Sequence, residues 1–288
     1  MEFELARAAA MVLFLAAASY FDLFNKKNVP VAIPYAMVAV GFILNLLSFD
    51  ANLILTSSAA ALAVFAIGYL VYRTGQIGGA DVLIFAGIAL LLPESPAALL
   101  PQAATISPLF SYPFIVPVFL ISGFLAIIGL SLKYVPKVAS GLAQGKVAIR
   151  PQSALTSAII VISYLAVIYF FSQAGIIVPA QSALLLLLVL LAGFLTAFKD
   201  YISSTMVEWV PLGGIDEEDV IALHSLDPML VSRLKLQPVL TPPELAKLKK
   251  SKLKKFPIYK GMPPFLPYIL LAVLFLLIFG DPFRLLFT

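Results

Sequence analysis

An all-α polytopic membrane protein is the fold class that this sequence predicts, with about eight transmembrane helices (six being the smaller count) and a small cytoplasmic domain before the last. Three observations carry that prediction. The 288 residues are 61% hydrophobic and only 12% charged, whereas soluble domains run near 45–50% apolar and about 25% charged. Mean hydropathy is +1.03. Apolar stretches long enough to cross a bilayer recur along the whole chain, without the alternation of an outer-membrane barrel.

The stretches run near 5–22, 30–49, 52–73, 81–99, 112–134, 153–173, 176–198 and 264–282. The first resembles a signal peptide in its small residues "FLAAASY", but Glu2, Glu4 and Arg7 do not make the basic start that such a peptide needs, so it is expected to be a retained helix. The second, fifth and eighth carry Pro34, Pro117 and Pro267, which neighbouring helices accommodate. The fourth is the least regular, since Pro93, Glu94, Pro96 and Pro101 crowd its far end.

Charge orients the array. Eight spans put Lys26, Lys27, Arg73, Lys133, Lys137, Lys146, Arg150, Lys199 and nine further bases on one side, leaving only Arg7 and Arg284 of the 19 on the other. The positive-inside rule makes the crowded side cytoplasmic. Both termini then lie outside, in a multi-pass protein of the cell membrane.

The 200–262 segment is the one connection with room for a folded unit, which divides the chain into 1–199, 200–262 and 263–288. Residues 200–227 hold seven acids (Asp200, Glu208, Asp216, Glu217, Glu218, Asp219, Asp227) and no base; residues 228–262 hold nine bases and one acid, Glu244. "TPPELAKLKKSKLKKF" reads as a helix opened by Thr241 and two prolines, whose lysines meet anionic lipid headgroups. Trp209 is expected as a domain-core or interfacial anchor. His224 stands without neighbours at metal-ligand spacing. With no cysteine in the chain, disulfides, thiolate catalysis and cysteine zinc sites are excluded. There is no phosphate loop, serine elbow or HExxH stretch, no cofactor is implied, and nothing points to nucleic acid.

Among acids near the spans, Asp50, Glu94 and Asp281 fall on the outer side. Asp22 closes the first helix and Asp81 opens the fourth, so both reach the cytoplasmic side at one depth. An ionisable residue bordering a span is costly and usually marks function. The structural alternatives are a helix N-cap for Asp81 and an interfacial pairing of Asp22 with Lys26 or Lys27. Two carboxylates a few ångströms apart share a proton; one activates water while the other polarises a carbonyl, as in aspartic proteases. Gly78 and Gly79 leave room for an extended peptide beside the acids. The same pair would also serve a proton-coupled transporter, although no broken-helix pair recurs in two halves of the chain.

"GGAD", Gly78-Gly79-Ala80-Asp81, resembles the glycine-x-glycine-aspartate motif of membrane aspartic proteases, with Ala80 in place of the second glycine. "ASYFDLFNKKNVPVAIPY" resembles the first aspartate region of type IV prepilin peptidases and archaeal preflagellin (prearchaellin) peptidases, and "IYKGMPPFLPYILLAVLFLLIFGD" is similar to the closing segment of the archaeal branch. The resemblance implies Asp22 and Asp81 as the catalytic pair and Gly78, Gly79 and Ala80 as substrate-binding. It implies pilin-like or archaellin precursors with class III signal peptides as substrates, and an archaeal, protease-only type without the four-cysteine zinc segment or N-methylation of bacterial members. A presenilin-like intramembrane protease shares the two-aspartate logic but would place its acids deeper. The basic leader of such a precursor needs a counter-charge, for which Asp216, Glu217, Glu218 and Asp219 are the candidates.

Overall fold

In the computed structural model, residues 2–25, 29–96, 112–249, 251 and 253–283 are described. Seven helices come first: α1 (Glu2–Phe24), α2 (Ala32–Leu47), α3 (Ala51–Arg73), α4 (Gly79–Leu91), α5 (Ile115–Ala143), α6 (Pro151–Gln173) and α7 (Pro179–Ala197). A short α8 (Lys199–Ser204) leads out of the apolar region. Strand β1 (Val207–Pro211), α9 (Pro228–Leu234), α10 (Pro242–Lys249) and β2 (Lys255–Tyr259) follow, and α11 (Leu266–Phe279) returns to it. Five helices are long and apolar enough to cross a membrane; α2, α4 and α11 are apolar but shorter. The chain is a multi-pass, mainly helical membrane protein.

The expected spans are thus present as helices, with one clear difference. The fourth stops at Leu91 instead of running to 99, because Leu92 leaves helical geometry (φ −132°, ψ 83°) ahead of Pro93. Residues 97–99 and Pro101 lie outside the described residues, as do Lys26, Lys27 and Arg284.

Helix α4 is the centre of the bundle. Every residue from Ile84 to Leu91 is buried, so this helix is apolar all round and needs neighbours on all sides. Those neighbours approach through glycine notches. A β-carbon on Gly41 of α2 would sit 2.8 Å from Leu90 Cβ, and one on Gly68 of α3 would sit 2.8 Å from Val82 Cγ1. Helices α1 and α11 close the remaining sides, and the start of α5 joins the same core. That six-helix unit (α1–α5 with α11) shares one hydrophobic cluster around Met11, Leu15, Met37, Ile84, Ile88, Leu91 and Ile269. Helices α6 and α7 form a peripheral hairpin, tied together by Ser157 Oγ donating to Gly193 O at 2.7 Å and packed on α5 around Tyr134 and Val138.

One end of the core is closed by polar groups. Arg7 is buried; it donates to Asn45 Oδ1 (2.6 Å), Leu91 O (3.2 Å) and Leu44 O (2.9 Å). Asn45 passes the connection on to Ser57 Oγ (2.8 Å) and Leu90 O (3.0 Å). Arg7 therefore satisfies carbonyls in the last turns of α2 (Leu44) and α4 (Leu91), and Asn45 satisfies Leu90 beside them. Asp50 caps α3, accepting from the amides of Asn52 and Leu53, and Asp281 accepts from the Tyr112 hydroxyl at 2.6 Å. These outer acids have structural partners.

Residues 205–262 form a small unit on the opposite end. Its antiparallel β1–β2 pair runs in register from Val207↔Tyr259 to Pro211↔Lys255 and covers a separate cluster of Ile221, Leu240, Leu248, Phe256 and Ile258. The lysine-rich stretch is therefore not one helix: α10 ends at Lys249, and the chain extends as β2 from Lys255. Pairing with a strand almost fifty residues earlier supplies the ladder that local sequence cannot show. Trp209 lies on β1 with 53% of its surface exposed and is not a core residue. His224 stands beside Tyr259, its Nδ1 3.5 Å from the hydroxyl, and burial pushes the Tyr259 phenol above its ordinary pKa.

This unit is fastened to the end of α3. Arg73 donates to Gln237 Oε1 at 2.9 Å. Gly75, at φ +75°, fits under Val220 and Pro238, where a β-carbon would meet them at 3.0 and 3.2 Å. The positive φ and the close approach both demand glycine here.

Candidate active site

Asp22 and Asp81 lie at the end of the bundle opposite Arg7. Asp22 is buried, one turn from the end of α1, and its Oδ2 accepts from the amides of Phe265 (2.9 Å) and Leu266 (3.0 Å). Those are the first amides of α11, so a side chain from α1 caps a helix 243 residues away. The unpaired amides and the positive end of the helix dipole favour an anion there. "MPPFLP" explains the sharp start: its prolines cannot extend a helix backwards, and Pro267 fits the first turn.

Asp81 is the third residue of α4, not its N-cap. Gly78 holds the cap position in extended geometry (φ −76°, ψ 154°), and Asp81 Oδ2 reaches back to accept from the Gly78 amide at 3.0 Å. This is the side-chain half of a capping box, with a glycine where a hydroxyl residue would complete it. It fixes the carboxylate rotamer against the start of the helix.

The two carboxylates are close enough for their charges to act on each other. Asp22 comes from the end of α1 and is held by the first amides of α11, and Asp81 comes from the start of α4 and is held by the Gly78 amide. The arrangement supplies a pair of interacting acids at a shared level, held by three backbone donors. Such a pair shares a proton readily, since both members cannot ionise at little cost. Among the described residues no group of three or more His, Cys, Asp or Glu side chains could hold a metal ion.

A groove of about 190 Å³ opens beside the pair, between α2, α3 and the first turn of α4. Tyr35, Phe65, Tyr69 and Tyr72 line it, with Gly79 and Ala80 at its base and Glu218 at its edge. Phe65 and Tyr69 stack with centroids 6.2 Å apart. These aromatics were not singled out from the sequence, although Tyr69 and Tyr72, three apart at the end of an apolar helix, share one face. Gly79 and Ala80 line the groove next to Asp81, whereas Gly78 does not line it and instead donates its amide to Asp81.

The four acids of 216–219 are separated by the structure. Lys260 holds Asp219 at 2.6 Å and Asp216 at 3.6 Å. Asp219 also accepts from the Asp216 amide at 2.8 Å. Glu217 is exposed and does not line the groove. Glu218 alone of the four reaches it.

No curated protein and no solved structure matches the chain. Residues 9–132, from within α1 into α5, match the model of the type IV leader peptidase family. That stretch is less than half of the chain, and it contains both aspartates and the helices α1 to α4 that carry and surround them, so the likeness to the type IV leader peptidase family falls on the part that holds the two acids.

Proposed function

We propose that the protein is an aspartic endopeptidase that removes the short basic leader from prepilin-like or prearchaellin precursors at the cytoplasmic face of the cell membrane, in an archaeal cell. The observation that supports this reading is that Asp22 and Asp81 are near enough for their charges to interact, with the residues just before Asp81 lining an open groove, inside the stretch that matches the leader peptidase family. The location of both acids within a turn of a helix end favours a bond presented at the membrane surface over one cut deep within a span.

The chemistry follows from the pair. A precursor's apolar helix docks among the spans, and its leader lies extended across Gly78 and Gly79. One carboxylate takes a proton from water as the oxygen attacks the scissile carbonyl; the other donates its proton to the carbonyl oxygen. Collapse of the tetrahedral diol breaks the C–N bond: the proton held by the first carboxylate passes to the leaving amine, and one diol hydroxyl returns its proton to the second carboxylate as the C=O bond reforms. One water is consumed and both acids return to their starting protonation states, with no cofactor.

The test is cleavage of a precursor by purified protein in liposomes. Asp22→Asn and Asp81→Asn are each expected to abolish it while membrane insertion is kept, and the double variant should be no worse than either. Substantial turnover by one single variant would end the assignment of a pair. Asp22→Asn keeps an oxygen that accepts from the α11 amides, so the cap survives and stability should fall by less than the about 1 kcal/mol that loss of a cap costs.

A further inference from the structure

Resting on the leader-peptidase reading, we propose that Glu218 is the specificity-determining residue of this site, and that it reads a cationic side chain one or two residues from the scissile bond. The groove carries the chemistry of a cation subsite. Its walls are the rings of Tyr35, Phe65, Tyr69 and Tyr72, and its edge is a carboxylate. An ammonium or guanidinium group lying on aromatic faces with a carboxylate at its head satisfies both its charge and its alkyl stem. An apolar side chain would gain the walls but leave the carboxylate unmatched, and an acidic one would be repelled.

Glu218 is placed for this by the fold. A β-carbon on Gly79 would lie 3.7 Å from both Glu218 carboxylate oxygens, and Asp81 is bonded to the neighbouring Gly78 amide. The two carboxylates thus flank the same two-glycine turn. An extended peptide advances about 3.3 Å per residue, so a side chain at Glu218 is one or two positions from a bond at the aspartates.

Its backbone is in the left-handed region, at φ +68°, which is unfavourable for a residue with a β-carbon. That conformation is held from both sides: the Glu218 amide donates to Leu240 O at 2.9 Å, and the Leu240 amide donates back to Asp219 O at 2.9 Å. Lys260 neutralises Asp216 and Asp219, leaving Glu218 as the acid of the cluster that faces the groove. Arg73, the nearest base on α3, is bonded to Gln237 and Tyr69. Among the described residues the Glu218 carboxylate forms no ion pair. Lys260 is accordingly a positioning residue, and the other three acids are not equivalent to Glu218.

The experiment uses the full chain in liposomes and three precursors with a basic leader ahead of an apolar helix. They differ only in Lys, Gln or Glu at the two leader positions nearest the scissile bond. Wild type is expected to favour the Lys over the Gln substrate by about tenfold in kcat/KM, mostly in KM, and less in high salt. Glu218→Gln should reduce that ratio to near one, Glu218→Lys should favour the Glu substrate, and Glu217→Gln should keep the wild-type ratio. A tenfold preference that survives Glu218→Gln overturns the subsite while the protease stands. An equal loss on all three substrates, without charge-swap rescue by Glu218→Lys, makes Glu218 merely structural and overturns it as well. Wild type that cuts none of the three removes the leader-peptidase reading, and the subsite with it.

Discussion

Adding one methyl group at Gly79 and one at Gly78 should have different consequences, although the residues are adjacent. A β-carbon at 79 meets Tyr72 Cε2 at 3.5 Å and the Glu218 oxygens at 3.7 Å, all ordinary contact distances. Gly79 begins α4, where alanine is the better helix former, so Gly79→Ala should fold and gain about 0.5–1 kcal/mol. The methyl takes its volume from a groove of about 190 Å³. Substrate binding should therefore weaken, with KM rising about threefold to tenfold, or about 0.7–1.4 kcal/mol. A β-carbon at 78 lies 3.3 Å from Asp81 Oδ2, tighter than an ordinary contact, and so pushes directly on the carboxylate. The backbone there is extended and accepts alanine. Displacement by 1 Å can cost about 10²-fold, so a few tenths of an ångström should lower kcat about threefold to tenfold with KM little changed. The assay is leader cleavage over a range of precursor concentrations, alongside thermal unfolding in detergent. Equal effects of the two alanines on kcat and KM, or a destabilised Gly79→Ala, would refute this division between groove floor and acid support.

The remaining predictions concern the acids and access to them. The rate should follow a bell in pH, because full protonation removes the base and full ionisation removes the acid; the two limbs report the pair and not either residue. Chelators should leave the rate unchanged, and loss that zinc restores would point instead to a metalloenzyme. The chain has no cysteine, so Ala80→Cys would be the sole thiol. It should react with a membrane-impermeant maleimide from the cytoplasmic side, more slowly than Gln76→Cys in the exposed loop before α4, and precursor should protect it. Equal rates for the two thiols would show that Ala80 is not within a groove.

Helix positions were legible because apolar runs of this length have few alternatives, and the two aspartates stood out because their neighbours are strongly apolar. What surrounds them was not. Asp22 meets Phe265 and Leu266, and Glu218 meets Gly79, across separations that no local pattern encodes. The lysine stretch read as a longer helix because "KKFPIY" has little strand signature until β1 pairs with it. Arg7 counted only as a charge of the outer side, yet it is buried in the bundle, because Asn45 Oδ1 and the Leu44 and Leu91 carbonyls replace its water. The division of eight helices into a core of six and a peripheral pair was also invisible, since lipid-facing and core-facing helices are equally apolar.

The short helices bear on how a peptide reaches the acids. At 1.5 Å per residue, α4, α11 and α2, with 13, 14 and 16 residues, run about 20–24 Å, less than a hydrocarbon core of about 30 Å. Along α1, Arg7 and Asp22 are about 22 Å apart by the same rise. The polar layers that bound the core are therefore closer together than the bilayer faces. Arg7 tolerates depth because it is fully engaged with carbonyls. On the proposed chemistry the aspartates could not be sealed in the same way, because hydrolysis consumes water. Helix α3, with 23 residues, carries Tyr69 and Tyr72 beside the start of α4, and the Glu218 unit sits over that end. The recess left by a short α4 is then walled by aromatics and open at its edge. Gly78 in extended geometry before α4, and the prolines before α11, end both helices where an extended substrate needs the space. The shortness of these helices would then serve the proposed chemistry, since it makes room for water and an unwound peptide next to two carboxylates.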